Sequence, residues 1–336
     1  MKISVLTAVY NTEAYLHECL DSLRRQTLND AEFICVDDAS TDGSGLILDQ
    51  YAKQDARFHV IHHAENLGLA AARNTGLKEA QGDFIVTLDS DDWLSDDALE
   101  QAYQAITQSL EADIALLRLQ FVQPDGKMSE FKNHVHTPVL TGEEAFQLSI
   151  ARWQIHGLYL IRRSLHEQYP YDATRPTFSD ENTTHLHFLH ARQVVFSKGI
   201  YYYRQHSQSV TKQISIRRFD RLEANLSMKQ TLEKEAALGY LPHQETILRQ
   251  YEQYRWLNVI DSYWFYYQNR PAFTSQEHEQ IAEQFRAILP SIHRNLLPLS
   301  LKFKFGYYPF KNYTLFRTQE TLYCWLKSHI HPTPGA

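Results

Sequence analysis

Cysteine is nearly missing from this 336-residue chain. Cys19, Cys35 and Cys324 are far apart and form no C-x-x-C, which excludes a disulfide framework and fits a reducing compartment. Glycine numbers only 12, and no G-x-G-x-x-G follows a strand-like run, which counts against a dinucleotide oxidoreductase. Long apolar runs are absent too: the stretch from Ile3 to Tyr10 gives way to polar residues too soon for a signal peptide or a membrane span, so a cytoplasmic protein is expected. Positive charge is in deficit, 33 Lys and Arg against 40 Asp and Glu, and a formal charge of −7 argues against nucleic acid as a partner. No internal repeat or low-complexity tract is evident. What remains is 43% hydrophobic and 12% aromatic, enough for a true core and one large or two ordinary domains.

The first 122 residues alternate strand and helix. Ile3 to Val9 is strand-like, and Asn11-Thr12 then caps a helix whose Leu16, Cys19, Leu20 and Leu23 recur at i, i+3, i+4 and i+7. Phe33 to Val36 reads as a buried strand ending at Asp37-Asp38, and ASTDGS starts a helix through Leu48 and Tyr51. Phe58 to Ile61 is a third strand. An Ala-rich helix ends near Ala80 with Gly82 as its stop. Leu99, Ala102, Tyr103, Ile106 and Leu110 mark one more helical face, and Asp113 to Val122 a fifth strand. Such alternation implies βαβ units in a mostly parallel α/β sheet, where ligands bind beyond the carboxyl ends of the strands. Gln123 to Pro138 reads as a loop, Thr141 with Glu144 as a capping box, and Trp153 to Arg162 as a strand. Thr177 to Lys198 is read as an acidic turn leading into a helix, and Gly199 to Thr211 as a strand and loop. Beyond Ile216 long amphipathic helices follow, which puts a boundary near residue 215.

The stretch GDFIVTLDSDDWL is the chemical centre of the pattern. Phe84 to Leu88 is an apolar strand, and Asp89, Asp91 and Asp92 crowd its carboxyl end. Carboxylates at that density need neutralising, and oxygen ligands of this kind suit Mg²⁺ or Mn²⁺ bound to phosphate. An acidic turn capping the next helix has the same composition. Tyr10-Asn11, Asp37-Asp38 and Asp89-Asp91 each end a different strand, so their polar groups converge on one crevice.

SVLTAVYNTEAYLHECLDSLRRQT, VDDASTDGS, NLGLAAARNTGL and GDFIVTLDSDDWL, in that order and spacing, resemble the family 2 glycosyltransferases of the GT-A fold. The resemblance covers about 1–215. It implies a Rossmann-like nucleotide-diphospho-sugar transferase domain there, with a donor half over about 1–122 and an acceptor half over about 123–215, followed by a helical region over 216–336. It implies an inverting, metal-dependent transfer from a nucleotide-sugar donor, expected to be a UDP-sugar, to a glycan or lipid-linked glycan acceptor in surface polysaccharide synthesis. Thr7, Tyr10, Asp38, Arg73, Asp89 and Arg204 are then the donor contacts: Asp38 on the uracil, Tyr10 stacked on the base, Arg73 holding Asp38 or the phosphate, Asp89 on ribose or sugar hydroxyls. Asp91 is the metal ligand, with His206 as a further one, and Arg204 or His206 reaches the diphosphate. Asp180 is the general base, with Glu181 as runner-up and Ser179 where the family usually has glutamate. An Asx turn suits Asp42 better than Asp38. The plainer alternatives are a helix-capping role for the Asp180-Glu181 pair, ordinary packing for Tyr10, and a surface position for Arg73, this last disfavoured by the small residues that flank it. Tyr201-Tyr202-Tyr203-Arg204-x-His206-x-x-Ser209-x-Thr211 matches the family's final motif. His185, His187 and His190 on a helix read as structural, because no carboxylate completes a zinc set.

The region from Leu296 to Lys327 sets Lys302, Lys304, Lys311, Arg317 and Lys327 against the single acid Glu320, among Phe303, Phe305, Tyr307, Tyr308, Phe310 and Tyr313. Three readings stay open: peripheral contact with the inner face of the cell membrane, a homo-oligomer contact, or a helical subdomain packing its aromatics inward. Two rivals to a working transferase are a silent nucleotide- or glycan-binding scaffold and a sugar nucleotidyltransferase. The latter lacks its Gly-rich, Arg- or Lys-bearing loop after the first strand.

Overall fold

In the computed structural model, residues 1–133, 135, 137–151, 153–173, 178–206 and 214–330 are described. The chain divides into two compact units, Met1–Ser209 and Val210–Ala336.

The first unit begins β1 (Ile3–Val9), α1 (Glu13–Arg24), β2 (Ala31–Asp37), α2 (Ser44–Gln54), β3 (Phe58–His62), α3 (Leu69–Glu79), β4 (Phe84–Thr87), β5 (Trp93–Leu94), α4 (Ala98–Thr107) and β6 (Ala112–Val122). It continues with β7 (Met128–Glu130), β8 (Val139–Thr141), α5 (Gly142–Ile150), β9 (Tyr159–Arg162), α6 (Arg163–Gln168), α7 (Ser179–His190) and β10 (Gln193–Arg204). The strands form one sheet in the order β3-β2-β1-β4-β9-β6-β10-β5. The parallel pairings, β1 with β2 and β4, β2 with β3, and β6 with β10, carry most of the ladder. β9 runs antiparallel between β4 and β6, so the sheet is mixed. β1 and β2 read as near-continuous apolar runs because helices cover both faces of a parallel sheet. Leu16, Cys19, Leu20 and Leu23 of α1 are all fully buried, each leucine worth about 1.5–3 kcal/mol.

Several sequence expectations need correction. Thr12 sits at the N-cap of α1, but its hydroxyl makes no cap. Instead Glu13 N–H donates to Asp42 Oδ2 at 3.1 Å and Thr12 N–H to Ser44 Oγ at 3.0 Å, so the ASTDGS turn caps a neighbouring helix as well as its own. Gly82 adopts no left-handed stop. A Cβ there would lie 2.5 Å from Ser4 N, so glycine lets the chain run against β1, where its N–H donates to Ser4 Oγ and Glu32 Oε1. Helix α4 ends at Thr107, leaving Leu110 88% exposed. The 123–138 loop contains β7 on the edge of β6, and β8 and α6 had no signal of their own. Only Tyr159–Arg162 of 153–162 is strand. Helix α7 stops at His190 and Gln193–Lys198 belongs to β10, where pairing with β6 outweighs local helix preference. The capping box of Thr141 and Glu144 is present.

The second unit is helical: α8 (Asp220–Ala237), α9 (Gln244–Asn269), α10 (Ser275–Ile288), α11 (Leu299–Lys302) and α12 (Tyr313–Ile330). Its core is aromatic, with Trp256, Tyr263, Phe285 and Phe316 all nearly or fully buried. The aromatics of 303–313 divide: Tyr307, Phe310 and Tyr313 pack on this core while Phe303 is 79% exposed. Glu252 is buried and paired with Arg255 at 2.7 Å and Lys229 at 3.6 Å, tying α8 to α9. Among the described residues, no helix is long and apolar enough to cross a membrane.

Candidate active site

Because β1, β2 and β4 are parallel, their carboxyl ends share one edge, and the loops leaving it carry unusual backbone. Asn11 (φ 53) after β1 and Ala39 (φ 59) after β2 are left-handed, as is Phe178 (φ 62) at the N-cap of α7, which costs about 1–3 kcal/mol at a bulky residue and marks segments held by their surroundings.

At the end of β2, Asp37 and Asp38 turn to different tasks. Asp37 accepts from Ser40 N–H at 3.0 Å and binds His62 Nδ1 at 2.8 Å. Burial opposes its charge, but these bonds outweigh it and lower its pKa. Asp38 is buried and accepts three donors: His63 Nδ1–H at 2.7 Å, Leu67 N–H at 2.9 Å and Gly68 N–H at 2.8 Å. Gly68, at φ 89, is the N-cap of α3, so Asp38 moors the start of that helix. His62 ends β3 in register with Asp37 and His63 follows it, a charge complementarity readable in the sequence but not used there.

Arg73 projects from α3 and is 6% exposed. Its Nη2 donates to Asp89 Oδ1 at 2.6 Å, its Nη1 lies 3.9 Å from Asp180 Oδ2, and its guanidinium covers the Tyr171 ring at 5.1 Å. Burial works against its charge, yet Asp89, then Tyr171 and Asp180, raise its pKa above the ordinary arginine value. Asp38, the partner anticipated for Arg73, is satisfied by other donors, and Asp89 takes its place. Arg73 is therefore no surface arginine: it joins the acidic turn after β4 to the first turn of α7.

In that first turn Asp180 is 53% exposed and its own backbone neighbour Glu181 donates N–H to it at 2.9 Å. Glu181 is 8% exposed and lies 4.0 Å from the buried His185, so the two acids face different surroundings. The side chain of Ser179, and residues Thr177, Ser209 and Thr211, lie outside the described residues.

Asp91 Oδ2 stands 2.9 Å from His206 Nε2, and the imidazole stacks on Tyr15 with centroids 4.9 Å apart. Asp92 is buried, accepting Tyr201 O–H at 2.9 Å and Arg204 N–H at 2.7 Å. Burial, then the charges of Asp89 and Asp91, push its carboxyl up to about 9. Arg204 donates Nε–H to the Asp91 carbonyl at 2.8 Å and Nη2–H to Glu18, its guanidinium between Tyr15 and Trp93. It thus holds the acidic turn in place. Sequence reasoning gave no role to Tyr15, Glu18, His63 or Tyr171, and named Tyr201 only as part of a motif. Tertiary contact recruits them.

Tyr10 is 48% exposed at the end of β1, so it is not packed as an ordinary strand-end tyrosine. Thr7 lies inside the sheet, 1% exposed, and its hydroxyl has no partner among the described residues. Also among the described residues, no three His, Cys, Asp or Glu side chains cluster as a metal cage. Carboxylate and imidazole at 2.9 Å, both partly exposed, fit Mn²⁺ or Mg²⁺ of the kind that takes its other ligands from phosphate and water. His185 bonds Ser149 at 2.8 Å, and His187 lies 2.7 Å from the Tyr159 hydroxyl and 2.8 Å from the Tyr169 carbonyl, which makes both structural.

An α/β sheet with antiparallel β9 inserted, an acidic turn at its central strand and a helical region following in sequence define a GT-A glycosyltransferase. The fold recurs in Staphylococcus aureus TarS 1–349 in complex with UDP-GlcNAc, at TM-score 0.76 and 20% identity over 96% of this chain and 91% of that one. Residues 4–170 match the model of "Glycosyl transferase family 2". Glycosyltransferase GlyG of Streptococcus pneumoniae is 32% identical over 62% of this chain and 73% of GlyG. A poly(ribitol-phosphate) beta-glucosyltransferase of Bacillus spizizenii is 43% identical over 38% of this chain and 20% of that protein. The chain belongs to glycosyltransferase family 2.

Proposed function

We propose that the first unit transfers a glycosyl group, with inversion, from a UDP-sugar to a hydroxyl of a glycan acceptor in surface polysaccharide synthesis, with a divalent metal. The observation that carries this reading is Arg73, which sets Asp89 at 2.6 Å and Asp180 at 3.9 Å on one buried cation. A carboxylate on the acceptor side and the acidic turn on the donor side thereby face one space. Asp180, half exposed, takes the acceptor proton as that oxygen forms its bond to the anomeric carbon. The bond from that carbon to the diphosphate breaks on the opposite face, and its electron pair leaves with the diphosphate. A single displacement of this kind inverts the anomeric centre. Glu181 is enclosed beside His185 and is the weaker candidate.

On the donor side a carboxylate offers about four lone-pair sites, and Asp38 has three donors, which leaves room for the uracil N3–H. The exposed Tyr10 ring offers a face to the base, and the unpartnered Thr7 hydroxyl a hydrogen bond. Asp89 takes ribose or sugar hydroxyls, and Arg204 Nη1, without a hydrogen bond among the described residues, the diphosphate. Asp91 and His206 would hold Mn²⁺ or Mg²⁺, which when bound neutralises charge on the departing diphosphate. TarS bound to UDP-GlcNAc and a mannosyltransferase of Pyrobaculum calidifontis bound to GDP-Man and Mn²⁺, at TM-score 0.53, support the donor class and the metal by analogy of fold.

The test is UDP release by wild type and Asp180→Asn, with UDP binding measured in both. A loss of at least about a hundredfold in turnover with UDP binding kept is expected for a missing base. Equal rates, or a loss confined to Glu181→Gln, would remove Asp180 from this role.

A further inference from the structure

The second unit holds a cavity of about 880 Å³ whose walls carry Arg270, Arg286, Lys311 and Arg317 and no acidic side chain. In a chain of net charge −7 that concentration of one sign is a marked local reversal. Arg286 is the only one of the four with a carboxylate partner among the described residues, Glu279 at 2.6 Å, and it also covers the Tyr313 ring at 5.3 Å. Arg270, Lys311 and Arg317 are exposed and have none. The acid nearest in sequence, Glu320, is turned into the core, where burial pushes its carboxyl up to about 8, so at neutral pH it does not offset Lys311 and Arg317; the charges of Glu279 and Glu283 fall on Arg286. A cleft lined by one sign of charge focuses its field and concentrates counter-ions. Aromatic surface joins the cations in this lining: Tyr267 and the half-exposed Trp325 are on the same walls. Flat apolar rings beside guanidinium groups suit a ligand with apolar C–H faces and regularly placed anions. The site is a broad hollow, largely open to solvent, which suits a segment of chain laid along it, whereas a bilayer surface calls for an outward-facing patch.

We propose that this cavity binds an anionic segment of the acceptor glycan, sugar or polyol faces against Trp325 and Tyr267 and acidic groups on Arg270, Lys311 and Arg317. This deepens the glycan-acceptor reading above and rests on it only for the word acceptor; the binding itself is independent of turnover. The acidic groups are phosphodiesters or carboxylates, which the same cations recognise.

The full chain is titrated with an oligo(glycerol phosphate), an oligogalacturonate, a neutral oligosaccharide of equal length and phosphatidylglycerol vesicles, in wild type and in the double variant Lys311→Glu, Arg317→Glu. UDP binding and the thermal midpoint are followed in the same samples. At least one anionic oligomer is expected to bind, about tenfold or more weaker in the double variant, with UDP binding unchanged. Preference for the phosphate or the uronate oligomer identifies which anion the site takes. Equal binding of the neutral oligomer, or anionic binding that the double variant leaves intact, overturns the proposal. Binding to vesicles alone overturns it in favour of a membrane contact. Should the double variant unfold, the wild type decides: its anionic binding must weaken several-fold between about 0.05 M and about 0.5 M salt, and salt-independent binding overturns the proposal. Lost UDP binding in wild type would instead count against the donor reading.

Discussion

Acid should destabilise the first unit, and with it the helix that carries Asp180. His185 and His187 sit on the inner face of α7, and His166 meets His187 with ring centroids 4.6 Å apart. Burial lowers His156 and His187 to about 4 and His185 to about 3, and takes His166 well below its ordinary value. In the unfolded chain each would take up a proton near 6.5. Below that pH the unfolded state holds more protons than the native one, so stability falls as pH drops, and continues to fall until the folded pKa is reached. At pH 5 the loss is about 2 kcal/mol for each of His156, His185 and His187, or about 6 kcal/mol together. Since domains are stable by about 5–15 kcal/mol, a large share of the first unit's margin goes within two pH units. His62 acts in the opposite sense. Asp37 raises its pKa, so its contribution is full below 6.5 and fades above the folded value, but it is too exposed to compensate. The lowered carboxylates Asp37 and Asp113 lose their contribution only below about 4, outside this window. Urea unfolding at steps from pH 8 to pH 5 measures the slope. His185→Gln, which keeps a partner for Ser149 but cannot titrate, should lessen the slope by about 1.4 kcal/mol per pH unit. A stability flat from pH 7 to pH 5, or a slope that this substitution leaves unaltered, would refute the assignment of these imidazoles as neutral buried groups.

Gly82→Ala should destabilise the first unit by about 1–3 kcal/mol, because the new methyl meets the β1 backbone at 2.5–2.7 Å; a thermal midpoint equal to wild type would contradict that contact. Glu252→Gln strands two buried cations, Lys229 and Arg255, and should cost the second unit about 3–5 kcal/mol in urea unfolding, while Glu245→Gln, on an exposed pair with Arg249, should cost less than about 0.5 kcal/mol. His206→Ala should weaken Mn²⁺-dependent UDP binding about tenfold and leave metal-free UDP binding alone; equal Mn²⁺ dependence in both proteins would exclude it as a ligand. Asp38→Ala frees the N–H groups of Leu67 and Gly68 and should lower UDP affinity and loosen residues 62–68, seen as faster amide exchange there than in α1.

The sequence by itself determined the alternation of β1 to β4 with their helices, and the places where acids end strands. Both follow from local periodicity and from the rule that parallel strands place their carboxyl ends on one side. It also marked the capping box at Thr141, whose partners are three residues apart. It could not say that Arg73 would meet Asp89 and Asp180 rather than Asp38, that His206 would close on Asp91 from 115 residues away, or that 193–198 would join a strand. Those outcomes depend on packing between distant segments, where a local preference of a few tenths of a kcal/mol yields to burial and pairing worth several times as much. A string of residues carries its helix faces and strand ends within a dozen positions. Which carboxylate shares which cation is decided only when the sheet has brought the loops together.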